Sequence, residues 1–279
     1  MSGAFRPFMV ALLIAIAGCG AVMEANKPPS FGGAVTPPSS DISSEVAAFS
    51  GVFIGKWGRL GQLDGGLAVE RIEGRTAHIF YSWGVYFPWY IYAPGYSRVV
   101  GDVDTRGVLR FGIPGRGIKV ALRPIHGGRM LFGEYEINRQ LGIDGGLTYG
   151  FFVRADLPLN YSGEFSGVLE GQLSGRFIQA KIEQADDSPW LRLRYSWGPS
   201  SRSGGGQDSG SIEVLAVVTS DNEVLTVVPT DDGLGIEVSF RLLPNGTFSG
   251  KWRHPLRGAG AGIFTHDGGG GLALPRERK

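Results

Sequence analysis

The chain has 279 residues with 27 basic and 26 acidic side chains, so it carries almost no net charge and gives no electrostatic ground for nucleic acid or an anionic bilayer as partner. Its 42% of hydrophobic residues excludes a disordered polymer, and its 46 glycines, far above the usual share of about 7%, suit many short strands joined by tight turns. A single cysteine, Cys19, excludes a disulfide framework and a cysteine-based metal site.

The first segment reads in three parts. Arg6 supplies one positive charge, Phe8 to Ala17 is apolar without interruption, and Ile16-Ala17-Gly18-Cys19 closes it. The apolar stretch is shorter than the roughly 20 residues that cross a bilayer core, and it has the length of a signal-peptide hydrophobic region. The closing tetrad resembles the lipobox of bacterial lipoproteins: an aliphatic residue, then two small residues, then cysteine. The resemblance covers the signal alone. It implies a signal peptide over residues 1–18, a diacylglycerol on the Cys19 sulfur and a further acyl chain, of the palmitate class, on its new amino group. Each buried methylene contributes roughly 0.8 kcal/mol, and two or more chains anchor a protein stably. In lipoproteins of diderm bacteria an aspartate after the cysteine favours the inner membrane. Gly20 stands there instead, so the expected location is a cell envelope, at the outer membrane on its periplasmic or surface face.

Residues 19–45 follow as a predicted flexible tether. Pro28, Pro29, Pro37 and Pro38 lie among Ser, Gly and Ala with no apolar periodicity. Such a segment is partly polyproline-like and reaches at most roughly 3 Å per residue.

The body is an internal repeat. Phe49-Ser50-Gly51-Val52 recurs as Phe165-Ser166-Gly167-Val168, and Tyr81-Ser82-Trp83-Gly84 as Tyr195-Ser196-Trp197-Gly198. Val108-Leu109 matches Val224-Leu225, Gly133-Glu134-Tyr135 matches Gly250-Lys251-Trp252, and Gly150-Phe151-Phe152 matches Gly262-Ile263-Phe264. The order is kept and the offsets run between 112 and 117 residues. Two tandem modules are expected, at residues 46–157 and 161–268, with a C-terminal tail at 269–279.

Both modules read as all-β. Ala77, Ile79, Tyr81 and Trp83 alternate with His78, Phe80 and Ser82; Leu191, Leu193, Tyr195 and Trp197 alternate with Arg192, Arg194 and Ser196. Period-two alternation is that of a half-buried antiparallel strand, so the first set of each strand should face its module's interior. Further strands are expected at Gly66–Ile72, Val108–Gly112, Ile118–Arg123, Met130–Glu136, Thr148–Arg154, Ile236–Leu242, Thr247–Arg253 and Gly262–His266. Seven or eight short strands per module make a small antiparallel barrel, which closure rids of exposed edges, with a sandwich as the alternative. The opening Phe53-Ile54-Gly55-Lys56-Trp57 resembles the Gly-x-Trp start of lipocalins, and the module's length is nearer to avidin. The resemblance spans five residues and is absent from the second copy, which has Gly171-Gln172-Leu173.

One segment distinguishes the copies. Trp83, Tyr86, Phe87, Trp89, Tyr90, Tyr92 and Tyr96 put seven aromatics into fourteen residues, and the matching stretch from Pro199 to Ser211 has none. A difference confined to one loop of a duplicated fold is a candidate for function. Flat amphipathic rings stack on sugars, take apolar ligands or anchor protein interfaces. Tyr86, Phe87, Trp89, Tyr90 and Tyr92 are therefore the candidate binding residues for an envelope glycan, an apolar small molecule or another envelope protein; lining the first barrel or packing between modules would be their structural role. The reading is a non-enzymatic, lipid-anchored binding protein that needs no cofactor. A cell-wall or carbohydrate hydrolase and a structural envelope-assembly lipoprotein are the alternatives.

Catalytic and metal sites find little support. Thr76-Ala77-His78 and Asp208-Ser209-Gly210 resemble the histidine strand and serine loop of the trypsin family. However, Gln207 stands where that family has the glycine that helps form its oxyanion hole, and His78 aligns with Arg192 on a polar face. His78, His126, His254 and His266 show no metal-ligand spacing. Glu70 and Glu134 lie on predicted strands, as a glycosidase pair would, but Glu134 aligns with Lys251.

Overall fold

The structure, a computed structural model, describes residues 26–58, 60–86, 91–137, 147–160, 167–173, 176–184, 189–200 and 209–266. Two closed barrels of eight antiparallel strands make up nearly all of it. The first is built from β1 (Gly51–Trp57), β2 (Leu63–Glu73), β3 (Thr76–Trp83), β4 (Gly95–Val103), β5 (Leu109–Ile113), β6 (Ile118–Ile125), β7 (Met130–Ile137) and β8 (Leu147–Arg154). The second repeats it with β9 (Gly167–Leu173), β10 (Arg176–Gln184), β11 (Trp190–Ser200), β12 (Gly210–Val218), β13 (Glu223–Val228), β14 (Ile236–Leu242), β15 (Phe248–His254) and β16 (Gly258–His266). Each runs up and down in chain order, and its last strand pairs with its first. Barrel, not sandwich, is the outcome.

The inward set read in β3 and β11 is buried as expected, but Phe80 and Ser82 of the outward set of β3 are buried as well. Ala77, Ile79, Tyr81 and Trp83 are buried, as are Leu191, Leu193 and Tyr195, while Arg192 and Arg194 are exposed. Trp197 is partly buried against the second core. The repeated Tyr-Ser-Trp-Gly string also packs alike in both copies. Tyr81 and Trp83 have ring centroids 6.0 Å apart, and Tyr195 and Trp197 6.1 Å. On the neighbouring strand a glycine makes room for each indole. A Cβ on Gly95 would lie 2.7 Å from the Trp83 ring, and one on Gly210 2.6 Å from that of Trp197.

An eight-stranded barrel is just wide enough for side chains to fill. In the first barrel Trp57 takes the centre. Its indole N–H donates to the Tyr81 hydroxyl at 2.7 Å, and its ring lies 5.0 Å from both Tyr135 and Phe152. Burial pushes the Tyr81 and Tyr135 phenols well above their ordinary range, so both stay protonated. The second barrel is more aliphatic, with Leu169, Ile178, Ile182, Leu193 and Val214 around a Phe240–Phe264 pair in edge contact at 5.1 Å.

The barrels pack side by side. Met130, Phe132, Phe151 and Val153, on the outer face of β7 and β8, meet Leu215, Val217, Leu225 and Val227 of β12 and β13. Strands covered on both faces lose their alternation, which is why all six residues of β13 are buried. Polar contacts rim the patch. Arg129 and Arg241 donate to the Glu223 carboxylate at 2.8 and 3.0 Å. Burial alone would raise this acid, but the two guanidinium bonds outweigh it and hold it below the usual range. The His126 backbone N–H donates to Glu237 at 2.8 Å, and its Nε2–H donates to the Thr226 carbonyl at 2.8 Å. Burial pushes the His126 ring down and favours its neutral form.

Residues 26–43, within the expected tether of 19–45, have no helix or strand and are docked on the first barrel. The Val85 N–H donates to the Asn26 carbonyl at 3.0 Å and the Thr36 N–H to that of Glu70 at 2.8 Å. The short helix α1 (Ser44–Ala47) then brings Val46 and Phe49 into the core. Residues 1–25, with Cys19 and the expected signal peptide, lie outside the described residues.

Candidate functional site

Of the predicted binding residues, Phe87, Trp89 and Tyr90 lie outside the described residues. Tyr86 and Tyr92 flank them. The Tyr86 N–H donates to the Ile91 carbonyl at 2.9 Å and the Ile91 N–H returns to that of Tyr86 at 3.2 Å, which pinches the loop shut at its base. Tyr86 is half-buried against the core of the first barrel, so its role includes closing the barrel mouth. Tyr92 projects outward and is 64% exposed. Inside the mouth, Trp83 lies under the Arg116 guanidinium at 4.4 Å, and its buried indole nitrogen has no acceptor among the described residues.

A feature the sequence reading missed continues this segment down the outside of the barrel. Phe80 points outward from β3, yet it is only 6% exposed because other side chains cover it. Tyr96 stacks on it at 5.1 Å, Phe31 from the docked N-terminal segment lies 5.5 Å away, and the Arg98 guanidinium sits 5.6 Å over its ring. Tyr96 itself remains 56% exposed. The barrel registers show what the second copy has instead. Phe80 pairs with Arg98, and Arg194 with Glu213; Ser82 pairs with Tyr96, and Ser196 with Ser211. An aromatic strip in the first barrel thus stands where the second has an ion pair, Arg194 with Glu213, and two serines. A copy-to-copy comparison of β3 with β11 carried this signal at position 80.

The strip borders a cleft of about 530 Å³. Its floor is the outer face of β1–β3, including Ile54, Gly66 and Ser82; Phe31 and Phe80 form one side and Trp190 of the second barrel stands at the rim. Lys56 and Asp64 add a paired charge within it. Rings beside small polar groups in an open groove can stack on and hydrogen-bond to a chain-like polar ligand.

The catalytic candidates are dispersed. His78 lies on the surface beside Arg71 at 3.1 Å and Glu73 at 3.4 Å, and Ser209 is exposed. Glu70 pairs with Arg98 at 3.2 Å. His254 is buried, with Nδ1 accepting the Leu256 and Arg257 N–H groups at 3.2 and 3.1 Å and Nε2 facing Asp232 at 3.1 Å. That assigns it to shaping a turn. Among the described residues no three His, Cys, Asp or Glu side chains gather as a metal site.

No protein-family model matches the chain, and no curated protein matches it. A solved structure described as a "putative outer membrane protein" of Bacteroides fragilis is similar to it, with 11% identity and a TM-score of 0.27 over 80% of this chain and 98% of that one. A likeness at that TM-score carries no argument about function.

Proposed function

We propose that the chain is a lipid-anchored protein of the cell envelope that binds an envelope glycan along the aromatic strip of its first barrel. The observation that carries this is the strip itself: Phe31, Phe80 and Tyr96 in contact, with Tyr96 and Tyr92 presented to solvent, on a scaffold whose second copy has charge and serine at the matching positions. A filled barrel interior speaks against a carrier that holds an apolar molecule in its lumen. An open cleft with rings at its edge favours a glycan. The anchor is read from Cys19 and its preceding signal, and Gly20 after the cysteine supports the outer membrane where the host is diderm.

Co-sedimentation of the purified protein with peptidoglycan sacculi tests the binding. The parent should pellet with the sacculi. Loss of one stacked ring is worth about 0.5–1.5 kcal/mol, so Tyr96→Ala and Tyr92→Ala should each weaken retention by roughly two- to tenfold. Tyr92 is largely exposed, so Tyr92→Ala should melt at the parent's temperature, whereas Tyr96→Ala also uncovers Phe80 and should melt a few degrees lower. Equal retention of parent and variants would refute the strip as the binding face.

A further inference from the structure

The cleft between the two barrels is lined by an arginine with two donors unpaired among the described residues. Arg123 points outward from β6, directly across from Phe132 on β7, and its guanidinium lies 5.5 Å over that ring. Its Nε and Nη2 are buried, and neither has an acceptor among the described residues. Buried charged donors left unpaired are costly, and proteins keep few of them. Two of the nearby acids are already engaged. Asp232 accepts the Leu234 N–H at 3.0 Å and faces His254 at 3.1 Å and Arg257 at 3.3 Å. Glu237 accepts the His126 N–H at 2.8 Å. Arg123 lines a cleft of about 650 Å³ that draws walls from both barrels.

We infer that this cleft binds a small monocarboxylate, whose two oxygens are taken by the fork of Arg123. A planar guanidinium beside an aromatic ring presents a fork suited to bidentate recognition of a carboxylate. Acids and bases share the cleft, Glu134, Asp232 and Glu237 with Arg106, Arg110 and Arg253, so it carries no excess of negative charge. A single fork matched to one carboxylate in a charge-balanced cleft suits a ligand that is otherwise neutral, such as the free end of a short peptide. Phe132 belongs to the inter-barrel patch, so the site exists only where the two barrels meet. The inference is independent of the aromatic strip, which lies on other strands.

The test is titration of the full folded chain, followed by ligand-observed NMR, with N-acetylalanine, its uncharged amide and inorganic phosphate. N-acetylalanine should bind saturably, and the amide and phosphate at least tenfold more weakly. Arg123→Met keeps the stem and removes the fork; it should weaken N-acetylalanine at least tenfold. Arg123→Lys keeps the charge without the fork and should also bind more weakly than the parent. Because Nε and Nη2 of Arg123 have no acceptor among the described residues, the melting temperature of Arg123→Met should equal the parent's or exceed it by about 2–4 °C. Absence of saturable binding, equal binding of the amide or of phosphate, or unchanged binding by Arg123→Met would overturn the inference. So would a melting temperature several degrees lower in Arg123→Met, which would make Arg123 a structural residue.

Discussion

Trp57→Ala should lower the melting temperature of the protein by roughly 10 °C. The side chain is fully buried at the centre of the first barrel, in contact with Tyr135 and Phe152. Truncating a large buried aromatic typically costs about 3–5 kcal/mol, and each kcal/mol moves the midpoint by about 2–4 °C in a chain of this size. The loss has two parts. One is the emptied volume, which a closed barrel cannot collapse to fill. The other is the hydrogen bond to the Tyr81 hydroxyl, which leaves a buried phenol with one partner fewer. Trp57→Phe separates them, because it restores most of the ring and not the N–H; its cost should fall to about 1–3 kcal/mol. Thermal melts followed by circular dichroism check both. A Trp57→Ala variant melting within 2 °C of the parent would mean that the barrel is not built around this indole.

The second large effect belongs to a pair of matched glycines. Gly55 and Gly171 occupy the same place in β1 and β9, one in each copy. A Cβ on Gly55 would lie 2.3 Å from the Phe152 ring and 2.5 Å from the Phe151 carbonyl oxygen; one on Gly171 would lie 2.4 Å from the Ile263 carbonyl oxygen. The obstacle is space against a neighbouring backbone, which cannot swing aside. Gly55→Ala and Gly171→Ala should each destabilise by about 1–3 kcal/mol, the usual cost of overpacking. Gly112→Ala is the control, since its Cβ would be 3.5 Å from its nearest neighbour, the Ile118 carbonyl oxygen. Chemical denaturation of the three variants measures this. Equal tolerance at all three positions would show that the strand approach at the barrel seams is looser than described.

Much of this fold is legible in the residues, because a duplicated sequence checks its own reading. The Tyr-Ser-Trp-Gly string fixes the register of β3 and β11, and a slip of one residue would have turned every side chain over. Less legible were contacts made by segments with no period of their own. Residues 26–43 read as a spacer, since proline-rich chain has no periodicity to show a docking face, and Phe31 is covered by no pattern. Phe80 fell on the polar set of its strand by position, and only its neighbours Phe31 and Tyr96 explain its burial. The inter-barrel patch was hidden for a similar reason. The apolar run of Val224, Leu225, Val227 and Val228 states that both faces are covered, but not by what. Arg123 gives no signal in sequence, because its significance is the absence of a partner in three dimensions.

The pattern of the barrels also bears on how the protein meets a membrane. A spanning barrel turns its apolar residues outward to lipid and its polar ones inward. Here the order is reversed. The outward positions of β5, β6 and β11 include Arg110, Lys119, Arg192 and Arg194, while Leu109, Phe111, Val120, Leu122 and Leu193 fill the interiors. Such barrels fold around their own cores, and the proposed lipid at Cys19 would then carry the attachment. The direct measurement is fractionation of a chain whose residues 1–19 are replaced by a cleavable secretory signal lacking cysteine, beside the parent. The account predicts that the parent sediments with the membrane, and that the exchanged chain is recovered folded in the aqueous fraction without detergent. An exchanged chain that still sediments with the membrane and needs detergent for release would contradict it.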